Sequence, residues 1–173
     1  MTAYLAAAFV LVFPALVITA ALRDAVSYTI PNWISLALLG AFPLAAVALG
    51  LPLPQVGMHA GVGFLALLAG MAMFALNWIG GGDAKLFAAA ALWLGWPAVA
   101  SFLLVTCVAG GALAMMLLSL RSVWLRPLVT GGPGWLNRLA QPGENVPYGV
   151  AICAGALAAF PASPLIGALH VFA

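Results

Sequence analysis

Only eight of the 173 residues carry a charged side chain, five basic and three acidic. Two of the acids, Asp24 and Asp83, stand where long apolar runs stop or start. Two carboxylates brought together share one proton, because like charges a few Å apart do not both ionise. The ionised partner then draws a proton from a bound water while the protonated one hydrogen-bonds a substrate carbonyl. That is general acid–base hydrolysis of a peptide bond, needing neither a covalent intermediate nor a metal. Asp83 follows Gly80-Gly81-Gly82 and precedes Ala84-Lys85-Leu86, with Lys85 the sole lysine. Three successive glycines make poor helix and strip away side-chain bulk, so an extended substrate backbone has room beside the carboxylate. Two plainer readings stand beside this one. Aspartate is a favoured helix cap, and Asp24 beside Arg23 suits an exposed interfacial pair. In a third reading the same two acids bind a proton or cation in a small membrane carrier or assembly subunit.

The elements that must position these residues are set by composition. The chain is 66% hydrophobic and 5% charged, with a mean hydropathy of +1.22. A soluble domain carries about 25% charged residues, so this surface faces lipid. The apolar segments are continuous, without the alternation of barrel strands. The expected fold is an all-α integral membrane protein, one domain over residues 1–173. No basic stripe suggests nucleic acid. Cys107 and Cys153 lie singly in apolar runs, and His59 and His170 are far apart, so no metal or cofactor site is expected. The cysteines read as small apolar packing residues.

Apolar spans, measured against the roughly 20 residues a crossing needs, fall at about Ala3–Leu22, Pro31–Gly50, Gln55–Trp78, Asp83–Gly95, Ala98–Leu120 and Pro147–Ala168, the fourth being short. The first lacks a basic start and is longer than a signal core, so it reads as a retained helix. Pro31 and Pro147 suit first helical turns. A polar loop from Arg121 to Val146 separates the fifth and sixth spans. With six crossings, Arg23, Lys85, Arg121, Arg126 and Arg138 all fall on one side, which the positive-inside rule makes cytoplasmic. Both termini are then outside, and Asp24 and Asp83 share one depth near the cytoplasmic face. The six tryptophans read as an interfacial belt, Gly57 and Gly61 as a close helix contact, and His59 as an interfacial residue. Lys85 reads as a snorkelling lysine or as a cation working beside the acids. Glu144 reads as a solvated loop residue near a helix start.

Three stretches carry a resemblance. Gly80 to Leu86 matches the GGGDxKL of type IV prepilin peptidases, a GxGD motif. Asp24 with the downstream Ile30-Pro31-Asn32 is similar to that family's first aspartate and IPN, and Pro147-Tyr148-Gly149 resembles its P-[FY]-G. The order is the family's, and the pieces extend over nearly all the chain from Asp24 onward. The resemblance implies an intramembrane aspartyl endopeptidase of the bacterial inner membrane with Asp24 and Asp83 as its pair. It implies prepilin or pseudopilin substrates, cut at the cytoplasmic edge of their hydrophobic segment, with pilus assembly or secretion machinery as a further partner. Larger members carry a region with paired CxxC motifs after the first helix and are linked to N-methylation. This chain has no CxxC and little room there, so it resembles the short form serving tight-adherence (Flp-type) pili. The basic residues frequent in the family between the first aspartate and IPN are here Ala25-Val26-Ser27-Tyr28-Thr29.

Overall fold

The computed structural model describes residues 2–129 and 131–172, and all their regular structure is helical. The long elements are α1 (Thr2–Ser27), α2 (Asn32–Ala48), α3 (Leu53–Ala75), α4 (Gly81–Leu94) and α5 (Ala98–Leu120). Two short helices, α6 (Arg126–Val129) and α7 (Gly134–Leu139), lie in the polar stretch. The chain ends on α8 (Tyr148–Ala159), a 3-10 turn over Phe160–Ala162 and α9 (Pro164–Phe172). Four segments are long and apolar enough to cross a membrane: Ala6–Ser27, Leu53–Ala75, Ala98–Leu120 and Tyr148–Leu169. The protein is thus an all-α, multi-pass membrane protein. The expected spans in α2 and α4 are shorter, with 17 and 14 residues.

Helix α4 is short because it is interior. From Ala84 to Leu94 every side chain except Lys85 is buried, against α3, α2 and α8 above all. A helix apolar all round is one enclosed by others. Its run of alanines lets neighbours approach closely. On α3 the buried face is His59, Gly63, Ala66 and Gly70, a helical stripe at i, i+4, i+7 and i+11. A Cβ on Gly63 would meet Leu92 Cβ at 2.8 Å, and one on Gly70 would meet the Ala84 carbonyl at 3.1 Å. The expected contact at Gly57 and Gly61 is corrected: nothing lies within 4 Å of a Cβ there, because both face outward.

Trp93 also departs from its expected place. It is 0% exposed, stacks on Phe13 and donates its indole N–H to the Leu38 carbonyl at 2.8 Å. The other five tryptophans are exposed. An indole buried among helices is stable only with its N–H satisfied, and the Leu38 carbonyl does that. His59 is buried rather than interfacial, its Nδ1 2.8 Å from the Leu92 carbonyl at the end of α4, where helix carbonyls lack intrahelical partners. Cys153 is buried as expected, whereas Cys107 is exposed.

Two ends differ from the sequence expectation. Helix α1 runs past Leu22 to Ser27, so Asp24 lies inside its last turn. Neither Arg23 nor Asp24 breaks a helix. The turn comes at Tyr28, whose φ of 55° is left-handed and whose N–H donates to the Asp24 carbonyl. At 26 residues the helix is about 39 Å long, more than the roughly 30 Å hydrocarbon core. The final span is interrupted at Pro161, which has no N–H to give, and Ser163 donates its hydroxyl to the Trp93 carbonyl at 3.1 Å.

Candidate active site

The ends of α1, α4 and α8 meet around a cavity of about 270 Å³. Asp24, Tyr28, Gly80, Asp83, Asn145 and Tyr148 are among its lining residues. Both carboxylates are buried, with Asp24 4% and Asp83 7% exposed, and both line this cavity. Residues 59 positions apart in the chain are brought to one space.

Each aspartate has its own support. Asp83 is the third residue of α4 rather than its cap, because the helix starts at Gly81. The run of glycines is thus partly helical: Gly80 precedes the helix, and Gly81 and Gly82 form its first turn. Gly80 donates its N–H to Asp83 Oδ2 at 3.1 Å, as a third-position acid reaching back to a cap residue does. The glycines serve through their lack of bulk. A Cβ on Gly80 would meet Asp83 Oδ2 at 3.1 Å, and one on Gly82 would meet Ile30 Cβ at 3.1 Å. The second oxygen, Asp83 Oδ1, is buried without a hydrogen bond. A buried polar atom with no partner is costly, so this oxygen is left open to a bound water or ligand.

Asp24 is held from the other side. Gly149 donates its N–H to Asp24 Oδ2 at 2.7 Å. This N–H belongs to the first turn of α8, where helix donors lack intrahelical acceptors. Pro147 directly precedes α8 and is buried, and Tyr148 is its first residue. The Pro147-Tyr148-Gly149 stretch thus delivers a backbone donor to Asp24. A Cβ at residue 149 would stand 2.8 Å from Asp24 Oδ2.

Pro31 and Asn32 lie outside the cavity. Pro31 precedes α2 instead of opening it, its carbonyl accepting the Ile34 N–H. Asn32 Oδ1 accepts a hydrogen bond from Lys85 Nζ at 2.9 Å. This bond ties the start of α2 to the start of α4, and it turns Lys85 away from the carboxylates.

Two further residues shape the site without having stood out in the sequence. Tyr28 has a buried hydroxyl with no hydrogen bond. Burial pushes its pKa above the usual phenol value, against the opposing charge of Arg121, so it stays a neutral donor. The sequence held no signal for it, since α1 ends at Ser27 and the left-handed Tyr28 lies outside the helix. Arg121 ends α5 and donates to three backbone carbonyls, of Leu139 at 2.9 Å, Glu144 at 2.7 Å and Asn145 at 2.9 Å. It fastens the polar stretch so that Asn145 and Val146 form part of the cavity wall. Glu144 takes part through its carbonyl. Among the described residues no three His, Cys, Asp or Glu side chains come together as a metal-binding group; the His170 side chain lies outside the described residues.

Comparison with curated proteins gives no match, and neither does comparison with solved structures. A family model described as the type IV leader peptidase family matches residues 11–115, a stretch that takes in Asp24, Pro31-Asn32 and the whole of Gly80 to Leu86. With well over half of its length matched, the chain belongs to the type IV leader peptidase family.

Proposed function

We propose that this protein is an intramembrane aspartyl endopeptidase that removes the leader peptide of Flp-like type IV prepilins or pseudopilins at the cytoplasmic membrane face. One observation carries the reading: Asp24 and Asp83 line the same cavity, and Asp83 Oδ1 is buried there without a partner. A water seated between the two carboxyl groups loses a proton to the ionised one and attacks the scissile carbonyl, which the protonated one polarises. The proton then passes to the leaving amine, so no covalent intermediate forms. The Gly149 N–H holds Asp24 in place, and the bare backbone of Gly80 gives an extended substrate room beside Asp83. The Tyr28 hydroxyl is a free donor for the substrate backbone.

The proposed topology has six spans, α2 and α4 included, with both termini outside and the stretch from Arg121 to Val146 in the cytoplasm. All five basic residues then lie on the cytoplasmic side of the bacterial inner membrane. The family match supports leader-peptide cleavage, and the lack of CxxC motifs in this sequence supports the short Flp-pilus type, in which methyltransferase activity is not expected. The test is cleavage by purified protein in vesicles of a synthetic prepilin segment containing leader and hydrophobic helix. Product masses locate the bond, expected at the leader boundary. An intact segment, together with dissipation of an imposed proton or cation gradient, would assign the aspartates to transport instead.

A further inference from the structure

A second concavity, about 520 Å³ in volume, opens on the lipid-facing side of the bundle between α2 and α3, with α4 as its floor. Its walls are Leu36 and Leu39 of α2 and Phe64 and Leu67 of α3, all exposed at the protein surface, over Ala88 and Ala89. From Lys85 to Leu92, the floor extends about 10 Å. It is not uniformly apolar. At the end where α2 and α4 begin stand Lys85 and Asn32, joined by their hydrogen bond. Lys85 is exposed, and with one of its three N–H groups on Asn32 it keeps two for a ligand. One turn deeper along α2 lies Ser35, 9% exposed, which lines the groove while its hydroxyl oxygen is buried just beneath the surface without a hydrogen-bond partner. Beyond Ser35 the lining is hydrocarbon.

We propose that this groove binds one anionic phospholipid, its phosphate on Lys85 and Asn32, an acyl chain along Ala88 and Ala89, and an ester carbonyl accepting from the unpartnered Ser35 hydroxyl, which rotates outward to meet it. Cation and amide, then hydroxyl, then hydrocarbon is the order in which a glycerophospholipid presents phosphate, ester and chain. Lys85 has no acidic partner within the groove, so the site is complementary to an anion. Of the three acids a second copy could offer, Asp24 and Asp83 are buried and Glu144 lies in the polar stretch between α5 and α8. A transmembrane helix has its backbone groups satisfied internally and leaves the Ser35 hydroxyl unused. The lipid would brace α2 against α3, which otherwise meet mainly through α4.

The test is native mass spectrometry of the delipidated full-length protein in detergent, titrated with phosphatidylglycerol or phosphatidylcholine of identical chains. Phosphatidylglycerol is expected to bind the wild type more tightly. K85A should weaken it at least about fivefold, and K85R should restore it. An ether-linked phosphatidylglycerol, which lacks the ester carbonyls, should bind wild type as weakly as the ester lipid binds S35A. Equal binding of the two headgroups, or an unchanged affinity in K85A, overturns the proposal. A photo-crosslinking residue at Leu39, in phosphatidylcholine vesicles with and without phosphatidylglycerol, identifies the occupant directly. A phosphatidylglycerol adduct supports the site, whereas an adduct to a protein segment or a second copy overturns it.

Discussion

A methyl group is the smallest change that separates the two halves of the candidate site. At residue 149 it would fall 2.8 Å from Asp24 Oδ2 and 3.0 Å from Asp24 Cβ, so α8 or the carboxylate must shift. A displacement of about 1 Å costs roughly a hundredfold in rate. Gly149→Ala should therefore lower kcat for prepilin cleavage by about that factor, at a cost of about 1–3 kcal/mol in stability. Cleavage kinetics and thermal unfolding in detergent check both. Tyr28→Phe removes a hydroxyl that bonds to nothing in the resting protein, so folding stability should stay within about 0.5 kcal/mol. KM for the prepilin segment should rise if that hydroxyl meets the substrate, and an unchanged KM would remove Tyr28 from the site. Asp24 and Asp83 could be picked out in the sequence because charges are so scarce there. Tyr28 could not, because a tyrosine near a helix end is ordinarily an interfacial anchor. Only its left-handed backbone and its buried oxygen set it apart.

Helix contacts follow the buried stripe of α3 more closely than they follow any sequence pattern of glycines. Gly57 and Gly61 have the spacing of a packing motif but point outward, whereas Gly63 and Gly70 take the contact with α4. Which side of a helix faces lipid is invisible to composition when both sides are apolar, and the same blindness misplaced Trp93 and His59. Gly63→Leu should destabilise by about 1–3 kcal/mol through overpacking against Leu92. Gly61→Ala should change stability by less than about 0.5 kcal/mol. Thermal unfolding of the two variants side by side checks the assignment. The stretch between α5 and α8 depends on Arg121, whose flat guanidinium reaches three carbonyls at once. A lysine cannot reproduce that fork. Arg121→Lys should then expose residues 131–146 to limited proteolysis and slow cleavage of the prepilin, with the membrane helices intact by circular dichroism.

Across the whole chain, the three motif stretches marked where helices begin or end, and their meeting places follow from that. Gly80 to Asp83 and Pro147 to Gly149 each lead from a cap residue into the first turn of a helix, and Asp24 sits in the last turn of another. Turns at one depth are where an alternating membrane chain brings distant segments together. What the motifs did not specify is how α4 comes to be enclosed, since that depends on the side-chain volumes of the helices around it. The donor set near the cavity is two carboxylates with no third His, Cys, Asp or Glu among the described residues. Cleavage should accordingly be unaffected by a strong chelator, and a loss of rate restored by added metal would require another mechanism. The most direct test co-expresses the protein with a Flp-type prepilin and follows leader removal by gel shift. Wild type, Asp24→Asn and Asp83→Asn are compared at matched membrane levels. The expected result is processing by wild type and a rate at least about 10²-fold lower in each variant. Undiminished processing by either variant would contradict the aspartate pair and return that residue to a helix-end charge.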